Sequence, residues 1–239
     1  MSELIEAVRR ARVYDVSPTL DADTAVFPGH PEVRIEATRT HAADGYFAQT
    51  ISLGEHTGSH VDAPAHALGT RPDATIDRYA ARRFIAPYVL FDLAPLGLAA
   101  GELASAGDLR ATADRDGLAL EPGDAALLCF GWDRHRARGA WWAGNTPGLD
   151  ASACAWLLDQ KVGLVGSDTP TADSAAVDGR IVAEHGHVEY FLPNDILLVE
   201  GLLGLDDAPR VGVIVAAPLK IANGSGAPAR VFLLADESP

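Results

Sequence analysis

The segment Glu55-His-Thr-Gly-Ser-His-Val-Asp-Ala-Pro-Ala-His66 limits the fold more than any other stretch of this chain. It places His56, His60, Asp62 and His66 at even positions only. Side chains of extended backbone alternate between two faces, so all four would leave one face of a strand. A straight strand would also hold His56 and His66 roughly 33 Å apart, too far for one site. Gly58 and Pro64 stand where bends are needed, because glycine takes backbone angles closed to other residues and proline cannot continue a sheet ladder. A segment curled in this way gathers imidazole nitrogens and a carboxylate. That donor set suits zinc, manganese or iron(II) and leaves positions open for water. A lone histidine in an apolar segment is ordinarily a core or surface residue. Four donors at one parity, with two bends among them, point to a metal site. The catalytic kind is favoured over a structural clasp, since structural sites are usually closed and rich in cysteine.

The rest of the chain reads as one domain over residues 1–239, able to bury a sizeable core. A formal charge of −14 excludes nucleic acid and anionic membrane as natural partners. Cys129 and Cys154 lie in apolar runs and read as small buried hydrophobes, not as a disulfide framework. Acidic Glu3 and Glu6 stand where a signal peptide would be basic, and no apolar run reaches the ~20 residues of a membrane span. These features describe a cytoplasmic enzyme.

Hydrophobic patterning predicts a helix over 3–11 and strands over 12–17, 33–40 and 46–53, the last leading into the His/Asp segment. Further strands are expected over 88–93, 125–130, 162–166, 196–200, 211–216 and 230–234. Helices are expected over 104–116 and 150–160, with Asp150 as N-cap of the second. Glu121-Pro-Gly-Asp124 signals a turn. The fold class is mixed α/β: a single domain with a mixed, partly barrel-like β-sheet flanked by helices. Many short strands with few helices between them argue against a regular βαβ series.

Outside the opening segment, Glu200 ends the apolar run Ile196-Leu-Leu-Val199. Buried there it would be costly unless it met a cation, and His185 or His187 could share that cation. Without such company His30, His41 and His135 are expected to be solvated, and Glu184 and Glu189 to be surface charges. Asp168 and Asp173 fall in a polar turn, which is weak evidence alone. Asn223-Gly-Ser-Gly226 lacks the Lys-Ser/Thr and helix of a phosphate loop and reads as an ordinary loop.

These residues together resemble the metal-dependent cyclase family, which includes bacterial kynurenine formamidases and isatin hydrolases. His56-Thr-Gly-Ser-His60-Val-Asp62-Ala-Pro64-Ala-His66 is similar to its HxGTHxDxPxH signature. Support follows in the family's order: Asp15-Val-Ser-Pro-Thr-Leu20 with Phe27-Pro-Gly29, Pro122-Gly-Asp124 with Gly131-Trp132, Thr146-Pro-Gly-Leu-Asp150, Asp168-Thr-Pro170 and Glu200-Gly-Leu202. The resemblance implies one divalent metal, Zn2+ or Mn2+, on His56, His60 and Asp62, with Asp62 able to bridge to a second. A later histidine and Glu200 would complete that second site, and His66 would transfer protons. The family's histidine lies twelve residues before its glutamate, where this chain has Val188. His187 is therefore preferred to His185, with a one-residue insertion near Pro193-Asn194. Ser59 replaces the usual Thr and keeps its hydroxyl. Phe27 replaces the usual Trp and His30 stands where formamidases often carry Asp. Both lie in the excursion that shapes the family's substrate pocket, and Phe27 is read as an aromatic wall. Glu200 is the formamidase choice, since isatin hydrolases tend to carry Gln there.

The implied reaction is hydrolysis of the C–N bond of an aryl formamide or cyclic amide by a metal-activated water, with His66 relaying the proton. The expected partner is a small aromatic amide, and the resemblance implies a homodimer or homotetramer. The alternatives are isatin hydrolase-like chemistry, lactone hydrolysis or cyclisation on the same metal site, and a metal-stabilised binding protein without activity.

Overall fold

The expected barrel is present, and its closure decides where the histidines end up. The computed structural model describes residues 2–236. Helix α1 (Glu3–Arg10), capped by the Ser2 side chain, leads into β1 (Arg12–Asp15). A separate hairpin of β2 (Arg34–Arg39) and β3 (Ala48–Ser52) follows, then the short β4 (His60–Asp62). Next come β5 (Ile85–Asp92), α2 (Ala106–Asp116), β6 (Ala125–Cys129), α3 (Ala151–Asp159) and β7 (Leu164–Ser167). A second hairpin, β8 (Ala175–Val177) with β9 (Arg180–Ala183), precedes β10 (Leu197–Glu200), β11 (Val211–Pro218) and β12 (Gly226–Ala235). Asp150 caps α3 as its sequence position predicts, accepting from the Ala153 N–H.

The main sheet runs β1-β12-β11-β5-β6-β7-β10-β4, and β4 also pairs with β12. That last pairing closes a ring from which only β1 is left out, on the outer edge of β12. The long β12 makes this possible: residues 226–228 pair with β4 and residues 232–235 with β1.

One expectation is corrected. β5, β6, β7 and β10 run parallel side by side, with α2 and α3 in the first two crossovers. Half the barrel is thus a βαβ series. Of these, β6, β7 and β10 are buried on both faces and show no alternation. The sequence of α3, Ala-Ser-Ala-Cys-Ala-Trp-Leu-Leu-Asp, is apolar almost throughout and carries little helical period.

Alternation along the strands separates two cores. Val61, Leu90, Leu127, Val199, Ile214 and Leu233 fill the barrel interior. Phe91, Leu128, Val165 and Leu198 point outward and pack with Leu109 of α2 and Leu157 of α3. Each such side chain contributes about 1.5–3 kcal/mol by leaving water. Cys129 and Cys154 are buried free thiols, as expected. No helix among the described residues is long and apolar enough to cross a membrane.

The two cores fix the orientation of the polar residues. Val61 and Val199 point inward, so His60, Asp62 and Glu200 face the outside of the closing seam. Antiparallel register sets His60 opposite Glu200 and Asp62 opposite Leu198.

Candidate metal centre

The parity argument holds for two of the four donors, and the bends bring in the others. Backbone is extended only over His60–Asp62. Gly58 has φ +65°, the left-handed region, and turns His56 back over the strand. Beyond Asp62 the chain turns again, with the His66 N–H donating to the Ala63 carbonyl and that of Leu68 to the Pro64 carbonyl. The His56 and His66 ring centroids consequently lie 3.9 Å apart.

Donor atoms converge on Asp62. Its Oδ1 is 2.6 Å from His56 Nδ1 and 3.4 Å from His60 Nε2, while its Oδ2 is 3.6 Å from His187 Nε2. Glu200 adds Oε2 at 3.1 Å from His60 Nε2 and Oε1 at 3.4 Å from His187 Nε2. His60 Nε2, Asp62 Oδ2 and Glu200 Oε1 are buried without a hydrogen-bond partner. Orphaned polar atoms of this kind are costly in a dry interior. A divalent cation among them would satisfy all three, so the residues present fit a metal. Two sets of three donors lie within 4.8 Å of one another: His56, Asp62 and His66, and His60, Asp62 and Glu200.

The outer ring nitrogens discriminate among the histidines. His60 Nδ1–H donates to the Gly58 carbonyl at 2.9 Å. His187 Nδ1–H donates to Asp173 Oδ1 at 2.6 Å, while Asp173 Oδ2 accepts from the Gly186 N–H. His56 Nε2 meets Ser225 Oγ at 2.9 Å. Metal-ligating histidines almost always have the other nitrogen anchored in this manner. No hydrogen bond holds the His66 ring among the described residues, and His66 is exposed at the mouth of the pocket.

Electrostatics reflect the crowding. Burial pushes the Asp62 carboxyl up, but His60 and His56 outweigh it and hold it well below the usual range. Burial likewise opposes the charge on His60, yet Asp62 and Glu200 raise it to about 9. His187 is raised well above its ordinary value despite burial, chiefly by Asp173. His66 moves the other way, lowered by partial withdrawal from water and opposed by the carboxylates.

His56, His60, Asp62, His66, His187 and Glu200 come together here, and Phe27 lines the pocket beside His30. His187 is the later histidine that enters, while His185 points toward Glu189 at 3.5 Å. His187 sits in the π-turn Gly186–Tyr190, which is closed by the Phe191 N–H on the Gly186 carbonyl.

Two expectations are corrected. His30 is half-buried with its ring 6.0 Å from that of His56, because the 25–30 excursion folds over the seam. Glu184 is half-buried in the pocket wall, carried there by β9, and desolvation raises its pKa. The 223–226 loop touches His56 through Ser225. Sequence reasoning also passed over Asp173 as an orienting group. Its signal was present, an acid in a turn that becomes fully buried.

Similarity to known proteins extends over most of the chain. Residues 14–174 match a family model described as "Putative cyclase". An isatin hydrolase of Roseibium aggregatum is 28% identical over 215 residues, covering 85% of this chain and 81% of that protein. A kynurenine formamidase of Bordetella petrii is 28% identical over 223 residues, covering 93% and 97%. The solved structure of isatin hydrolase A from Labrenzia aggregata, bound to benzyl benzoate, superposes with a TM-score of 0.86 at 25% identity, over 98% of each chain.

Proposed function

The chain belongs to the cyclase family, and from that footing we propose that it is a metal-dependent hydrolase opening the C–N bond of an aryl formamide or cyclic amide. The observation that carries this reading is the convergence of three buried donor atoms without partners, on His60, Asp62 and Glu200. Their chemistry, nitrogen and carboxylate oxygen without sulfur, suits Zn2+ or Mn2+. His56, His60 and Asp62 would hold one ion, and Asp62, His187 and Glu200 a second.

A bound divalent cation supplies Lewis acidity and a water of lowered pKa. The protein does the rest. Asp173 and the Gly58 carbonyl fix which nitrogen His187 and His60 present inward. His66, with free ring nitrogens beside His56, takes the nucleophile's proton and delivers it to the leaving nitrogen. Phe27 and Trp142 give the pocket aromatic walls that suit a flat substrate.

The compartment and assembly follow as proposals. The acidic charge fits a cytoplasmic enzyme without nucleic acid or membrane partners. Exposed Leu4, Ile5 and Val8 on α1 and Tyr46, Phe47 and Ile51 on the first hairpin are apolar surface that a homodimer or homotetramer would cover.

The test is turnover by the metal-loaded protein of N-formylkynurenine, isatin and small lactones side by side. Hydrolysis of the C–N substrates is expected. Lactone hydrolysis alone, or uptake of metal without any turnover, would overturn the reading.

A further inference from the structure

The loop that reads as an ordinary Gly-rich turn is moulded around one side of the site. A Cβ on Gly226 would meet His56 Cε1 at 2.7 Å, and one on Gly224 would meet Glu55 Oε1 at 3.0 Å. The loop backbone is thus packed against both residues, and the Ser225 carbonyl accepts from the Ala63 N–H just beyond Asp62. Between the two glycines, Ser225 makes three contacts. Its N–H and its hydroxyl both donate to Glu55 Oε2, at 3.0 and 2.6 Å. Its oxygen lies 2.9 Å from His56 Nε2.

The proton inventory then fixes the role of Nε2. A serine hydroxyl has a single hydrogen, and here it is committed to Glu55. Toward His56 the same oxygen can only accept, so Nε2 must carry the hydrogen. Nδ1 faces Asp62 Oδ1, 2.6 Å away, to which it donates in the metal-free protein, so it is the nitrogen whose hydrogen a cation beside Asp62 would replace. We infer that Ser225, held by Glu55, is a positioning residue that fixes His56 in the tautomer presenting Nδ1 to the metal. This rests on the metal-site reading above. Ser225 touches neither substrate nor the reacting atoms in this scheme, and Glu55 acts one step further back, by denying the hydroxyl the option of donating to His56.

The experiment measures zinc affinity of the full-length metal-free protein by competition with a chromophoric chelator, for wild type, Ser225→Ala, Ser225→Thr and Glu55→Gln. Imidazole 15N shifts of His56 in the zinc-loaded proteins report the tautomer. Ser225→Ala should bind zinc about 10–100-fold more weakly, the usual loss when a histidine ligand's outer partner is removed. Ser225→Thr, which restores the hydroxyl, should stay within about threefold of wild type on the same scale. Glu55→Gln should fall between them, because a glutamine amide can donate to the hydroxyl and free it to donate to His56. His56 should carry hydrogen on Nε2 in wild type and in Ser225→Thr.

Wild-type affinity in Ser225→Ala would overturn the inference. So would equal weakening in Ser225→Ala and Ser225→Thr, which would assign the effect to loop packing and not to the hydroxyl. A wild-type chain that takes up no zinc would instead remove the metal-site reading itself.

Discussion

Asp173→Asn is the substitution whose consequence can be worked furthest from the coordinates. Asp173 is fully buried and uses both oxygens, one on the Gly186 N–H and one on His187 Nδ1, each at 2.6 Å. Asparagine has nearly the same shape but only one accepting atom. If its amide nitrogen faced Gly186, two donors would oppose each other, so the oxygen stays there and the amide turns to His187. Nδ1 must then accept, the ring hydrogen moves to Nε2, and that nitrogen, which faces Asp62 Oδ2 and Glu200 Oε1, has no lone pair left for a cation between them. A hydrogen bond to a charged partner is worth about 1.5–3 kcal/mol. Loss of an outer partner of a metal-bound histidine costs about 10–100-fold in affinity, or roughly 1.4–2.7 kcal/mol. The two routes agree. Zinc competition on metal-stripped protein should show that weakening at the site containing His187, with the fold intact by circular dichroism. Unchanged zinc affinity in Asp173→Asn would refute the orientation argument.

Three other perturbations read different parts of the account. His66→Ala should keep its metal content and lose about 10²–10⁴-fold in turnover, measured by metal analysis and initial rates; a matching loss of metal would make His66 a ligand. In the metal-free protein His60 has its pKa raised from 6.5 to about 9. The stability this contributes is full below pH 6.5 and lost as pH rises through 9, while metal must displace the same proton. Metal-free stability should therefore fall across that window as zinc affinity rises, by denaturant melts and chelator competition; parallel trends would contradict it. Leu127→Ala empties a fully buried position inside the barrel and should cost about 2–5 kcal/mol in denaturant unfolding.

What could be read before the structure was known follows from which contacts are local. His56, His60, Asp62 and His66 sit within one curled segment, so parity and two bend residues are enough to group them. Glu200 was legible for a different reason, as a charge at the end of an apolar strand with no cheap way to be buried. Asp173 meets His187 across the 14 positions of the β8–β9 hairpin, and Ser225 meets His56 across 169, a separation that the closed barrel spans. Neither residue type is unusual in a turn, so nothing local marks them. His30 and Glu184 were misjudged on the same ground, because an isolated polar residue reads as solvated until an excursion folds it over a site. The parallel half of the barrel was hidden by burial on both faces, which removes the alternation that strand reading depends on.

The central claim is that this chain's own donors hold a divalent cation on which C–N hydrolysis depends. It is tested most directly by titrating zinc or manganese into chelator-stripped protein while following hydrolysis of an aryl formamide or isatin. Activity should be absent at the start, rise with added metal and reach a plateau between about one and two equivalents per chain. Full activity in the stripped protein would contradict the account.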